Sequence, residues 1–142
     1  MNKRSDRLFV YTDGGARGNP GPAAIGVIIL DENKEVIKKH KAFLGKATNN
    51  QAEYNAVIHA LRFVKSLKAK QISFFLDSEL VCRQIKGEYN INNPELKILN
   101  GKVHELIAGL KIPVSFYNVP RENEYIQQAD ALVNEALDEQ EN

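Results

Sequence analysis

Residues 7–30 read RLFVYTDGGARGNPGPAAIGVIIL, and their pattern decides the fold class. RLFVYT at 7–12 is rich in β-branched and aromatic residues and ends at an acid, Asp13. GGARGNPGP at 14–22 has the glycine and proline content of a loop. A second, wholly apolar strand is expected over 23–30, then a turn at Asp31, Glu32 and Asn33, then a third strand over 34–44. Three strands with such short connections form an antiparallel meander. Beyond them the period changes. Residues 49–67 place Ala52, Ala56, Ala60, Phe63, Val64 and Leu67 at helical spacing. QISFFL at 71–76 reads as a buried strand ending at Asp77, and a helix from about Ser78 to Lys86 follows. Pro94 suits the first turn of a further helix reaching about Gly109. A last strand over 112–119 and a helix from about Glu124 to Leu137 complete the chain, with the tail DEQEN expected to fray. Strands reached through helical crossovers run parallel to the first. The expectation is an α/β fold on a mixed five-stranded sheet.

Four acids are hard to explain by folding alone. Asp13 and Asp77 terminate the first and fourth expected strands, and open sheets bind ligands beyond the carboxyl ends of their parallel strands. Glu53 shares a helical face with Val57, Leu61 and Val64. Asp130 shares one with Ile126, Val133 and Leu137, so it is expected to point inward. Each has a plainer reading: Asp13 before Gly14 and Gly15 as a turn residue, Asp77 before Ser78 as a helix cap. Buried carboxylates are costly unless paired or metal-bound, and one cage for hard divalent cations would account for all four.

Composition sets the remaining bounds. The chain has 142 residues, 43% hydrophobic and 26% charged, which suits one globular domain over 1–142. The single cysteine, Cys82, permits no internal disulfide and fits a reducing compartment. MNKRSDR is charged and leads straight into the first strand, and no apolar stretch is long enough for a signal peptide or membrane span. Cytoplasm and a monomer, with no membrane partner, are the expectations. A net charge of +1 argues against strong non-specific nucleic-acid binding through bulk charge.

YTDGGARGNPGPAAIGVII at 11–29, TNNQAEYNA at 48–56, LDSELV at 76–81 and ADALVNEA at 129–136 together resemble the type 1 ribonuclease H family, in family order and over about residues 7–137. The resemblance implies a ribonuclease H-like catalytic domain with strand order 3-2-1-4-5. It implies a catalytic and metal-binding set of Asp13, Glu53, Asp77 and Asp130, and two Mg²⁺ ions, with Mn²⁺ as the alternative. It also implies cleavage of the RNA strand of an RNA–DNA hybrid to 3′-hydroxyl and 5′-phosphate ends. Two cations about 3.5–4 Å apart can activate water and stabilise the leaving oxygen. Asp13 is the candidate to bridge them, Glu53 and Asp77 to complete the leaving-group side, and Asp130 to serve the water side. Double-stranded RNA is a further candidate substrate, and a catalytically weak nucleic-acid-binding module is the alternative function.

Substrate contacts are expected from Gly14 and the glycine loop, where backbone can approach closely, and from Asn19 in the minor groove, where 2′-hydroxyls mark RNA. The resemblance adds Asn50 and Glu79 beside the RNA strand, and Thr48 and Asn93 at a DNA phosphate, although acidic Glu79 suits phosphate poorly. Asn49 is a candidate helix cap.

Three departures from the family pattern stand out. GEYNINNPELK replaces the basic, Trp-rich handle of many bacterial members, as in the compact archaeal-like and plant-like branch. NVPRENEYIQQ carries no histidine; Arg121 either substitutes for it or pairs with Glu122 or Glu124. Ile126 stands where relatives of this branch commonly have Asn, and Asn123 lies upstream. Lys34, Lys38, Lys39, Lys41 and Lys46 read as edge-strand protection or, less simply, a nucleic-acid contact. His40, His59 and His104 lack metal-ligand spacing, and Cys82 reads as a core filler.

Overall fold

The computed structural model describes residues 6–141. The first five residues of the charged N-terminal run, and the last residue of the DEQEN tail, lie outside them. The elements are β1 (Arg7–Ala16), β2 (Gly21–Leu30), β3 (Val36–Ala47), α1 (Asn49–Val64) with a 3₁₀ turn at Lys65–Leu67, β4 (Gln71–Leu76), α2 (Glu79–Ile85), α3 (Pro94–Leu110), β5 (Val114–Asn118) and α4 (Glu124–Glu141). The five strands form one sheet in the order β3-β2-β1-β4-β5. β1, β2 and β3 pair antiparallel, while β4 lies parallel to both β1 and β5. This is the α/β fold on a mixed five-stranded sheet, in the order 3-2-1-4-5, expected from the sequence.

β1 departs from expectation. It does not stop at Asp13: Gly14, Gly15 and Ala16 continue the ladder opposite Ile25, Ala24 and Ala23 of β2. Glycine and alanine have weak strand preference, so the local reading is a loop; the apolar partner strand supplies the hydrogen bonds that override it. The turn shrinks to Arg17–Pro20, closed by Arg17 N–H donating to the Pro22 carbonyl at 2.8 Å. Asp13 therefore projects from within a strand, not from its end.

Alternation along β1 sorts its side chains between two cores. Leu8 and Val10 face α1, α2 and α3, packing with Tyr54, Leu61, Ile85 and Val103. Tyr11 faces α4 with Ile28, Leu30, Ile126 and Ala129. β2 lies under both layers, and each of Ala23, Ala24, Ile25 and Val27–Leu30 is fully buried, as its unbroken apolar run requires.

The helix starts are set by side-chain caps. Thr48 caps α1: its Oγ1 accepts from Gln51 N, and Gln51 Oε1 accepts from Thr48 N. The cap is thus Thr48 and not Asn49. Ser78 caps α2 through Val81 N, so Asp77 is free of that duty. Asn93 caps α3 ahead of Pro94. Asn123 caps α4, its Oδ1 accepting from Tyr125 N and Ile126 N.

The tail does not fray within the described residues: α4 runs to Glu141. Arg17 pairs with Asp138 and Glu141 at 2.7 Å each, and Lys41 pairs with Glu135 at 2.7 Å and with Glu139. β3 is the outer strand, and Lys38 and Lys34 lie over the rings of Phe63 and Phe9. His40 stacks on His59 with centroids 5.7 Å apart, and Cys82 is buried in the larger core. No helix among the described residues is long and apolar enough to cross a membrane.

Candidate active site

Two glycines set the geometry of the acids. A Cβ on Gly14 would lie 2.3 Å from the carbonyl carbon of Ala52, so α1 touches β1 backbone to backbone. A Cβ on Gly26 would lie 2.2 Å from the Ala129 carbonyl oxygen, so α4 touches β2 in the same way. Gly26 is the ladder partner of Asp13. The residues following these two alanines are Glu53 and Asp130. Each helix therefore delivers its acid at the point where a missing side chain lets it down onto the sheet, on either side of Asp13.

Asp13, Glu53 and Asp77 each bring a carboxylate oxygen within 4.8 Å of the others. Asp13 and Glu53 are buried, at 7% and 6% exposure, and Asp77 is half-buried. Gly14 N–H donates to Glu53 Oε1 at 3.0 Å, while Glu53 Oε2 is buried with no hydrogen-bond partner. Burial drives the Asp13 carboxyl up to about 7, and the facing charges of Asp77 and Asp130 add to it. Burial, followed by the charge of Asp13, holds the Glu53 carboxyl well above the usual carboxylate range. Crowded hard oxygen donors with one oxygen left unpartnered fit a cation site.

Asp130 differs from its expected inward orientation. It is exposed on α4, with Ile126, Ala129 and Val133 taking the buried positions beside it. It nevertheless lines the same cleft as the other three acids, and its charge faces Asp13. A stripe argument places a residue at the margin of an apolar face but does not say on which side of the margin its carboxylate emerges.

The cleft holds about 380 Å³ and is also lined by Gly14, Gly15, Asn49, Asn50, Ser78, Arg121 and Ile126. Arg121 pairs with neither Glu122 nor Glu124; its Nε lies 3.5 Å from Asp77 Oδ2. Its loop is carried there by β5, where Val119 N–H and Asn118 Nδ2 both donate to the Leu76 carbonyl, next to Asp77. Ile126 is 1% exposed and adds an apolar residue to the cleft lining, while Asn123 serves as the α4 cap. Asn19 lies outside the cleft lining, and its Oδ1 accepts from Asn49 N at 2.9 Å, while Asn49 Oδ1 accepts from Ala16 N. Glu79 faces elsewhere, toward Tyr89 and Arg83. Thr48 and Asn93 are not among the residues lining the acidic cleft. A second cleft of about 390 Å³ lies between β3, α1 and α3, and Gln51 hydrogen-bonds Glu95 across it.

Residues 11–136 match the family model described as reverse transcriptase-like. Ribonuclease HI of Halobacterium salinarum is 39% identical over 136 residues, covering 96% of this chain and 67% of the relative. The chain belongs to the type 1 ribonuclease H family. The crystal structure of RNase H1 from Halobacterium salinarum superposes with a TM-score of 0.88 at 38% identity, covering 94% of this chain and 98% of the other. LC11-RNase H1, isolated from compost by a metagenomic approach and solved in complex with an RNA/DNA hybrid, gives 0.88 at 38% identity over 95% of this chain and 99% of the other. A bifunctional protein of Mycobacterium tuberculosis is 34% identical over 134 residues, and there this chain spans 36% of the relative's length.

Sequence reasoning gave Gly26 and Arg17 no part in shaping the site and read Asn49 only as a helix cap, whereas its Oδ1 accepts from Ala16 N. Gly26 carried a readable signal, since a glycine inside an otherwise apolar strand marks a close backbone approach. Arg17 and Asn49 act through contacts between distant segments that no local pattern announces.

Proposed function

We propose that this protein hydrolyses the RNA strand of RNA–DNA hybrids in a metal-dependent reaction, leaving 3′-hydroxyl and 5′-phosphate ends. The observation that carries the reading is the trio of carboxylates within 4.8 Å, one of which buries an oxygen with no partner. Asp13, Glu53, Asp77 and Asp130 are the residues to hold two Mg²⁺ ions, or Mn²⁺ in their place. Bound there, the ions supply an activated water and charge stabilisation of the leaving oxygen.

The chain's own residues do the positioning. Gly14 N–H orients Glu53, and the backbone contact between β1 and α1 fixes both residues against Asp13. Asn19 and Asn49 tie the β1–β2 turn to the start of α1, where Asn49 and Asn50 line the cleft. Thr48 and Asn93 accept cap hydrogen bonds through oxygen. The hydroxyl hydrogen of one and the amide of the other are the donors for a DNA-strand phosphate. Arg121, 87% exposed in its side chain, can leave Asp77 for a phosphate oxygen of the substrate. A monomer in the reducing cytoplasm, which suits the free thiol of Cys82, completes the proposal.

The test is a cleavage assay on end-labelled hybrid, RNA duplex and DNA duplex, each with Mg²⁺, Mn²⁺ or chelator. The hybrid should be cut in the RNA strand with either metal and not in chelator. Cutting of the RNA duplex would extend the substrate range. Hybrid binding without cutting would make the protein a binding module, and cutting of the DNA duplex would overturn the assignment.

A further inference from the structure

Asp130 is the least constrained of the four acids. Asp13 is fixed by its strand and Glu53 by the Gly14 amide, whereas Asp130 stands exposed on the surface of α4. An exposed aspartate samples several rotamers, and only some of them face the cleft. One turn further along α4, Asn134 Nδ2 donates to both the Asp130 carbonyl at 3.1 Å and its Oδ2 at 3.3 Å. We infer that Asn134 is a positioning residue for Asp130, itself set by Arg17 and the last turns of α4; the inference rests on the reading of Asp130 as a metal ligand.

The direction of the amide is determined by its other neighbour. Asn134 Oδ1 accepts from Arg17 Nη2 at 3.3 Å. Guanidinium can only donate, so the oxygen end of the amide must face Arg17 and the NH₂ end must face Asp130. Arg17 is in turn gripped by Asp138 and Glu141 at 2.7 Å each. Asp130, Asn134, Asp138 and Glu141 follow at helical spacing and form one row on α4. Arg17 reaches that row from the β1–β2 turn, two residues before Asn19. The turn proposed to meet substrate and the exposed carboxylate are thereby joined by one run of hydrogen bonds.

The chemistry of Asn134 suits the task. A lysine or arginine at this position would also anchor Asp130, but its charge would compete with a cation for the carboxylate. A neutral amide fixes one oxygen and leaves the negative charge available. Partners of metal-binding carboxylates characteristically matter in this way, and their loss costs about 10–100-fold in metal affinity or activity. A helix-surface pair with no such role would leave metal binding unchanged.

The experiment is a double-mutant cycle read by calorimetric titration of Mn²⁺ and Mg²⁺ into substrate-free protein, with hybrid cleavage alongside. The four proteins are wild type, Asn134→Ala, Asp130→Asn and the double variant. Asn134→Ala should lower metal affinity about 10-fold, the lower end for an exposed partner, and raise the Mg²⁺ needed for half-maximal cleavage equally. In the Asp130→Asn background the same change should have no further effect, because it acts through the carboxylate. Arg17→Gln should give a smaller loss in the same direction. Wild-type affinity in Asn134→Ala, or an undiminished effect in the Asp130→Asn background, overturns the inference. Wild-type affinity in Asp130→Asn alone would instead remove Asp130 from the metal site, which is a separable failure.

Discussion

Replacing Asp13 with asparagine should stabilise the metal-free protein at alkaline pH while abolishing cleavage. Asp13 is 7% exposed and faces Glu53, Asp77 and Asp130. Its carboxyl is lifted from 3.8 to about 7, chiefly by burial. A folded-state value above the unfolded one means that the fold favours the protonated acid. That contribution is fully present below the unfolded value and is lost as pH rises through about 7. About three units at about 1.4 kcal/mol each set a ceiling near 4 kcal/mol for the cost of ionising this group above pH 8. Asparagine keeps the shape and carries no charge, so it removes that cost. An amide must still be desolvated and hydrogen-bonded, which reduces the expected gain to roughly 2 kcal/mol.

For a chain of this size roughly 2 kcal/mol corresponds to about 6–10 °C in Tm. The assay is thermal unfolding in chelator at pH 8.5 and at pH 4.5, for wild type and Asp13→Asn. The variant should melt higher at pH 8.5, and the difference should shrink toward zero at pH 4.5. In saturating Mg²⁺ the order should reverse, because wild type gains the binding free energy of the cations and the variant does not. Cleavage by the variant should fall by more than about 100-fold, as expected from loss of several kcal/mol of transition-state stabilisation. Equal melting at both pH values, or lower melting of the variant in chelator at pH 8.5, would refute the view that Asp13 is held at the expense of stability for a cation. Near-normal turnover would show it to be a strand residue with no catalytic role.

Asp77→Asn should likewise raise Tm in chelator, since Asp77 lifts both Asp13 and Glu53 by its charge and Ser78, not Asp77, caps α2; a lower Tm would give Asp77 a structural role. Gly14→Ala should cost about 3 kcal/mol by overpacking and displace Glu53, because its Cβ falls 2.3 Å from α1 backbone. Gly26→Ala should do the same to Asp130 through α4, and wild-type denaturation midpoints for either variant would contradict the backbone contacts. Asn19→Ala should weaken hybrid cleavage without creating DNA cleavage, because it frees the β1–β2 turn from Asn49 N. Hybrid binding by the wild type should fall only gently with salt, since Arg17 and Lys41 are already paired with α4 carboxylates; a steep slope would require many direct phosphate contacts.

The elements legible in the sequence were those whose ends are marked locally. β4 occupies the expected QISFFL, α2 starts behind Ser78, and α3 starts at Pro94. Misreadings fell where distant partners decide. Gly14–Ala16 look like loop and become strand because β2 supplies their ladder. Asp138–Glu141 look like a frayed end and stay helical because Arg17, 124 residues from Glu141, and Lys41 hold them. The acids show the same division. Their identity could be read one motif at a time, but their convergence depends on two contacts made by residues with no side chain at all. Ala52 rests on Gly14 and Ala129 rests on Gly26, so the next residue of each helix, Glu53 and Asp130, is carried toward Asp13. α1 packs on one face of the sheet and α4 on the other, which is why neither helix alone builds the site. Moving either helix outward by the width of a methyl group would separate its carboxylate from the cluster while leaving its own apolar stripe intact. Helical periodicity is blind to that displacement. The glycine opposite Asp13 in the ladder is therefore as much a determinant of the acidic site as the acids themselves.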